Sequence, residues 1–576
     1  MQPTDTDQKP SLWMSLRSLS PTQRSVLPRL FTRRDRVLFL LFSISFIASL
    51  GYAAYSLAER YSVAVPTEGG IIREGIIGIP RFINPLLASS DVDRDLTAMV
   101  YTGLLRNDAK GALVPSLADH YDISEDGLTY TFYLKDNLRW SDGSFLTADD
   151  VVFTVSLAKD HNYRSILRPN WEGVTAEARD EKTIVFRLQK PYAPFLENTT
   201  MGILPKHVWR EVLAAEFTLS EKNLRPIGAG PYRVMNFTQH PTGRIASYTL
   251  EANPYYVPHP PFVQTVEFFF FTSINELDTA LTNQSIDSAS ISGIFEPSIH
   301  AVDMKFVSLP LPRIFGVFFN QNASKALSDD AVREALAYAT DRERLVQSVL
   351  QNQGTVITSP LPPLAQKYAP ILFDQGTSTA MLSDAGWKDA DGDGIREKEI
   401  DTQNVPLAFT ISTSDTPDLI ETARLLQEMW RAVGADVHIS IFQIGDFEQD
   451  VLRPRKYDAI LFGEVFGFDP DPFAFWHSSQ RNDPGLNIAL YTNPRADSLL
   501  EEARKQINRE EREKTYSEFQ QIVADEHPAV FLYSPSYHYR PASQLNGYAI
   551  TRITNSSDRF GSVHEWFIKT KKQLQW

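Results

Sequence analysis

Cysteine is absent from all 576 residues. Its absence excludes disulfides, thiolate metal sites, cysteine nucleophiles and a thiol to carry a lipid. Positive charge is also short, with 56 Lys and Arg against 71 Asp and Glu and a net charge of −15. Residues 1–36 carry seven Lys/Arg against three Asp, so the remainder carries −19. Nucleic acid and anionic lipid bind to basic patches, and such an acidic chain is a poor partner for either. The sequence also lacks H-E-x-x-H, G-x-S-x-G and G-x-x-x-x-G-K-[ST], and with them the usual signs of zinc, serine-hydrolase and nucleotide chemistry. Ser156 and Lys159 spell S-x-x-K, but no S-D-N or K-T-G accompanies them and the match is fortuitous.

Long apolar runs are scarce too, and one stands out. Val37 to Leu57 carries no charge and is long enough to cross a bilayer as a helix. The positive flank before it predicts a cytoplasmic N-terminus and an extracytoplasmic remainder. A cleaved signal peptide, cut near Ala54 or Ala58, is the alternative, but its apolar region is usually only about 7–15 residues. The sequence therefore reads as a basic tail (1–36), an uncleaved single-pass anchor (37–57), a linker (58–70) and a large ectodomain.

Residues 115–154, PSLADHYDISEDGLTYTFYLKDNLRWSDGSFLTADDVVFT, are the most legible part of that ectodomain. Asp126-Gly127 turns the chain, after which Leu128, Tyr130, Phe132 and Leu134 share one face of a strand. Thr147 and Asp150 have capping-box spacing, and the helix they open puts Val151, Val155 and Ala158 on one face. Further on, 183–188 and 266–271 read as strands, and 331–349 and 419–433 as amphipathic helices. The class is α/β with more than one sheet.

Asp389, Asp391, Asp393 and Gly394 imitate the start of a calcium loop, but the position that needs a bidentate Glu is Ile400, so a solvated turn is the better reading and no metal is expected. The stretch richest in binding chemistry is Phe462 to Ser479, FGEVFGFDPDPFAFWHSS. Its aromatic rings and carboxylates suit a wall that buries apolar groups and fixes an amine. Phe466, Gly467 and Phe468 are the pocket candidates; Phe473 and Trp476, at i and i+3, fit a helix core stripe equally well. His477 reads as structural more readily than as a ligand.

Residues 115–154 resemble the family 5 extracellular solute-binding proteins of bacteria, the dipeptide, oligopeptide and nickel receptors that feed ABC importers. The resemblance extends over residues 71–567 in order: NPLL (84–87), LPKHVW (204–209), PIGAGPYRV (226–234), NPYY (253–256), DDAVREALAYATDRERLV (329–346), AGWKDADGDGIRE (385–397) and YDAILFG (457–463). It implies a two-lobed periplasmic-binding-protein fold of the large peptide-binding type, with a hinge crossed twice. Lobe I would take 71–315 plus 535–576, with an extra subdomain at about 103–225, and lobe II 316–534. It also implies a peptide ligand held between the lobes, permease subunits as partners, and neither cofactor nor catalysis. Nickel, haem or another small solute is the alternative cargo, and a cleft peptidase or acyl transferase the rival from another class. Asn487 and Tyr491 resemble the segment that returns past the cleft; a surface turn is the competing reading. Peptide receptors of the family carry an Asp-Tyr-Pro-Asp-Pro-like run whose first Asp meets the ligand amine. Here Phe468 falls at that position and Asp471 is the expected N-cap of the helix that follows, which leaves Asp469 as the nearest free carboxylate to meet an ammonium.

Overall fold

The computed structural model describes residues 32–292, 306–362 and 371–574, so most of the basic tail lies outside them. The chain divides into two units, Met1–Thr67 with Thr570–Trp576, and Glu68–Lys569.

In the first unit, Arg33–Arg60 forms one helix of 28 residues in which no residue is buried. It extends the charge-free run by four residues before it and three after. Its start is explained by a capping box: Thr32 N–H donates to Asp35 Oδ2 at 2.9 Å, and Asp35 N–H donates to Thr32 Oγ1 at 3.3 Å. At 1.5 Å per residue the helix is about 42 Å long, more than the roughly 30 Å hydrocarbon core of a bilayer. The stretch read as a linker holds a strand, Ser62–Thr67, paired with the C-terminal strand, whose residues from Thr570 onward belong to the same unit.

The second unit is built on a sheet of twelve strands. From one edge its path runs through Asp436–Phe442, Ala408–Ser414, Ala459–Val465, Arg313–Phe319, Ala529–Arg540, Ser288–Ser292, Ile71–Ile77, Thr265–Phe271, Ile245–Ala252 and Tyr232–Gln239. The strand Ala529–Arg540 belongs to both halves. Its first part pairs with Arg313–Phe319, and its last part with Ser288–Ser292 and Val307–Pro310. Buried apolar residues divide accordingly. One cluster gathers Ile72 to Phe270 with Leu311 and Tyr537 to Trp566, and two others gather residues between Ile314 and Tyr533 on opposite faces of the second half.

A separate four-stranded sheet takes Ala118–Ile123, Thr129–Leu134, Thr183–Arg187 and Thr175–Ala178 in that order. In its second strand Tyr130, Phe132 and Leu134 are buried while their alternates are half-buried, as the period of two requires. The helix after it, Ala148–Lys159, starts where the capping box predicts, with Thr147 N–H donating to Asp150 Oδ2 at 2.9 Å, and it buries Val151, Val155 and Ala158. The PIGAGPYRV run is glycine-rich because backbone passes over backbone there. A Cβ on Gly228 would lie 2.0 Å from the Val100 carbonyl oxygen, and Gly230 N–H donates to that same oxygen at 2.8 Å.

The helix expected over 331–349 is two helices, Asp330–Tyr338 and Arg342–Leu350. Asp341 divides them: its side chain accepts from Arg344 N–H at 3.0 Å and caps a new start, a local bond that competes with continuing the first helix.

Candidate ligand-binding site

The parallel strands Ala408–Ser414 and Ala459–Val465 end beside the start of Arg313–Phe319 and the helix Pro417–Arg431. A cavity of about 350 Å³ opens there, within the range usual for small-ligand sites. Crevices at the carboxyl ends of parallel strands are common binding places, since neighbouring connections diverge there. Phe315, Leu419, Ile444, Val465 and Tyr533 form much of the wall, and Arg313, Asp418 and Glu464 are its charged residue types.

Glu464 is 2% exposed, with no hydrogen-bond partner for either carboxylate oxygen among the described residues. Alternation along its strand puts it on the side of Ile460 and Phe462, against Trp476. Burial pushes its carboxyl well above the ordinary range, with Trp476 pulling the other way.

A smaller cavity of about 170 Å³ lies where Phe468, Asp469, Arg509 and Arg512 meet Gly111, Tyr130 and Glu197. Phe468 is pressed against Gly111, whose φ of +74° and absent side chain both matter: a Cβ there would lie 2.5 Å from the Phe468 ring. Arg552 donates from Nη2 to the Phe468 carbonyl at 2.6 Å. Glu197 is pushed up to about 7, chiefly by burial and then by the charge of Asp469. A third cavity, about 420 Å³, is lined by residues of 85–256 and 555–561, with Thr97 Oγ1 and Asn107 Oδ1 among the unpartnered polar atoms of its wall.

The structure gives the expected site residues specific neighbours. Asp469, expected to be the free carboxylate, is ion-paired with Arg512, both side chains being largely buried. Burial still raises its carboxyl, with Arg512 opposing. Asp471 accepts from Phe473 N–H at 3.3 Å, the capping role expected of it, although the four-residue helix begins at Phe473 with Pro472 in the cap position. Asp471 also holds Arg504, Nη2 to Oδ2 at 2.6 Å, and accepts from Tyr192 OH at 3.4 Å.

Phe466 and Phe468 are both 4% exposed; Phe466 packs on Phe475, while Gly467 faces solvent. Trp476 is fully buried among Phe318, Tyr491, Phe519 and Phe531, which decides the core-or-pocket question in favour of core. Asn487, also fully buried, donates to the Trp476, His477 and Tyr491 carbonyls. Tyr491 donates its hydroxyl to Glu526 Oε2 at 2.7 Å. Asn487 and Tyr491 are therefore interior braces rather than a surface turn, and neither they nor Trp476 line the cavities described above. His477 stacks on Phe473 with its Nδ1 2.8 Å from Ser479 Oγ. In the Asp389 loop the carboxylates accept from the loop's own backbone, Asp389 from Gly392 at 2.7 Å and Gly394 at 3.0 Å, and Asp393 from Ile395 at 2.7 Å. The turn is exposed, and it brings carboxylate oxygens of Asp389, Asp391 and Glu397 within 4.8 Å of one another.

Sequence reasoning passed over Arg313, Asp418, Arg504 and Arg512, because no motif joins them to the aromatic run. Glu464 had a signal, a lone carboxylate near the end of the apolar strand Ala459–Val465.

Residues 112–485, well over half of the chain, match the bacterial extracellular solute-binding proteins, family 5 (middle region). The chain belongs to this family. Its similarity to the oligopeptide-binding protein AppA of Bacillus subtilis is 29% identity over 523 residues, covering 88% of this chain and 94% of that one. The structure of AppA from that organism in complex with a nonapeptide matches with a TM-score of 0.66 at 28% identity, over 88% of this chain and all of that one. NikZ from Campylobacter jejuni in complex with Ni(L-His) matches with a TM-score of 0.67 at 27% identity, over 86% and 99% of the two chains. The family 5 solute-binding fold expected from the sequence is thus established, and with it the solute-binding class of function.

Proposed function

We propose that this chain is the membrane-tethered receptor of an ABC importer, which takes up peptides outside the cell and hands them to permease subunits without chemical change. The observation that carries the reading is the cavity at the carboxyl ends of the parallel strands, largely apolar with charged groups at its wall, in a chain whose similarity to an oligopeptide-binding protein runs almost end to end. An extended peptide suits such a site, because its backbone can be met by strand-end groups while its side chains lie on the apolar wall.

The same reading divides residues 71–576 into two lobes, 71–315 with 535–576 and 316–534, of which 570–576 fall in the unit of the N-terminal helix. The two chain crossings would fall near Pro310–Arg313 and Tyr533–Tyr537, where the long strand changes partners and the buried clusters part. Phe468 and Asp469 would then act at the smaller cavity, with Phe466 and Gly467 setting the course of the chain past it. Trp476, Asn487 and Tyr491 would support that segment from behind. The tether would be the helix Arg33–Arg60, held in the membrane with its basic flank inside.

Incubating the full-length protein in detergent with a mixed peptide pool, followed by mass spectrometry of what stays bound, tests the receptor reading. Intact peptides are expected; turnover would make the protein an enzyme, and capture of nickel or haem alone would change the cargo. Bound peptide should also raise the melting temperature, since about 2.7 kcal/mol of stabilisation accompanies a hundredfold excess over Kd. N-terminal sequencing of the mature protein tests the tether, which a start near Ala54 would remove.

A further inference from the structure

The last turn of the helix Arg33–Arg60 is tied to the strand Lys569–Leu574. Glu59 Oε1 lies 2.7 Å from Lys572 Nζ, and one residue after the helix the strand Ser62–Thr67 begins and pairs with that same strand. Within the second unit the two segments are still side by side. A Cβ on Gly69 would lie 3.0 Å from Lys569 Cδ, and one on Gly70 would lie 2.9 Å from Ile568 Cδ1. Their φ angles, +127° and +97°, are left-handed as well. A Gly-Gly pair that would ordinarily loosen a linker is here demanded by close approach.

Both segments are then fixed by backbone bonds. Gly69 N–H donates to the Phe262 carbonyl at 2.7 Å, Thr265 N–H donates to the Gly70 carbonyl at 3.3 Å, and Phe567 exchanges bonds of 3.0 and 2.9 Å with Asn546. Only Glu68 separates Gly69 from Thr67, and only Ile568 separates Phe567 from Lys569. A lone two-stranded ribbon is marginal in water. This one is intramolecular with both strands held at one end, which makes the effective concentration of each for the other high. The Glu59–Lys572 pair adds little, because its side chains are 50% and 65% exposed, so the strand pairing itself carries the association.

We propose that the strand Lys569–Leu574 is a clasp on the tether. It doubles the segment that follows the anchor helix, so that the ectodomain is held by two chain segments instead of swinging on one. This rests on the tether reading above, because a chain cut near Ala54 has no anchor for the clasp to act on. A paired connection narrows the orientations in which the ectodomain meets a permease, whereas a single glycine-containing strand leaves them open.

Endoproteinase Glu-C and a cysteine cross-link test the clasp on the full-length protein in detergent. The protease cuts after Glu59 and Glu68, while residues 569–576 contain neither Glu nor Asp and survive it. Removing residues 570–576 is expected to speed cleavage after Glu68 at least about tenfold, because a paired segment is cut only from its open form. The melting temperature of the rest should not change. Since the chain has no cysteine, Glu59→Cys with Lys572→Cys supplies the only two thiols in the protein. A short bis-maleimide should join them within one folded chain and fail to do so in urea. This cross-link decides the question even if the shortened chain fails to fold. Equal cleavage of the folded full-length and shortened chains, or no cross-link in the folded protein, would overturn the clasp and leave the tether reading intact. A cross-linked dimer would show that a second copy supplies the strand and would overturn it too. A mature protein that starts near Ala54 would overturn the tether reading and this inference with it.

Discussion

Two charged regions of the second unit are made of the same residue types and behave in opposite ways. In the first, Arg559 is fully buried between Glu74 and Asp95, with its Nη2 2.9 Å from Glu74 Oε1 and 2.7 Å from Asp95 Oδ2. Tyr539 and Ser288 donate to Glu74, Ser556 donates to Asp95, and the Ser556 carbonyl accepts from Arg559. Burial pushes the Asp95 carboxyl up to about 6, with Arg559 holding it below what burial alone would give. In the second region, at the cavity, Arg313 and Asp418 have no such partners. The difference teaches that charge type says little about role. A buried charge whose neighbours complete its shell is architecture; one whose shell is incomplete, on a cavity wall, has room for a ligand.

Breaking the satisfied cluster should have the largest effect. Arg559→Met leaves two buried carboxylates without their cation, and a loss of about 3–5 kcal/mol is expected, read as a large fall in melting temperature. Arg313→Met, by contrast, should leave stability nearly unchanged or slightly raised; a comparable loss there would erase the distinction.

Asp469 and Arg512 sit between the two cases, paired and mostly buried at the smaller cavity. Arg512→Met should cost about 2 kcal/mol, and the double change with Asp469→Asn should recover part of it, because the second substitution removes the stranded charge. If the double variant is no better than the single one, the pair is not coupled as described.

Glu464 sharpens the comparison through pH. Its folded value is raised above its unfolded one, so the folded state holds the proton more tightly. The stability this confers is present below about pH 4.5 and is lost as pH rises toward the folded value. Glu464→Gln should remove that slope, so that the variant gains stability over wild type as pH rises toward 8 and differs little from it at pH 4.5. Parallel melting curves for the two proteins across this range would contradict it.

The smallest effect belongs to the exposed Asp389 turn. Asp389→Ala removes the side-chain acceptors of two exposed backbone N–H groups and should cost only about 0.5–1 kcal/mol. Calcium is expected to leave the wild-type melting temperature where it was.

Several features were legible before any tertiary contact was known, because short-range physics sets them. The capped helix at Ala148, the alternating strand at Thr129 and the long apolar helix near the N-terminus depend on spacing, capping and apolar length within a few turns of chain. The order of motifs carried the family and hence the fold. What the sequence could not decide is which charge pairs with which. Asp469 and Arg512 are 43 residues apart, Asp471 and Arg504 are 33, and Glu74 and Arg559 are 485. Whether a carboxylate is free for a ligand depends on the groups that folding brings within about 3 Å of it, and no local pattern encodes that distance. The same holds for Trp476, whose helical spacing fitted core and pocket alike until the surrounding aromatic rings closed over it.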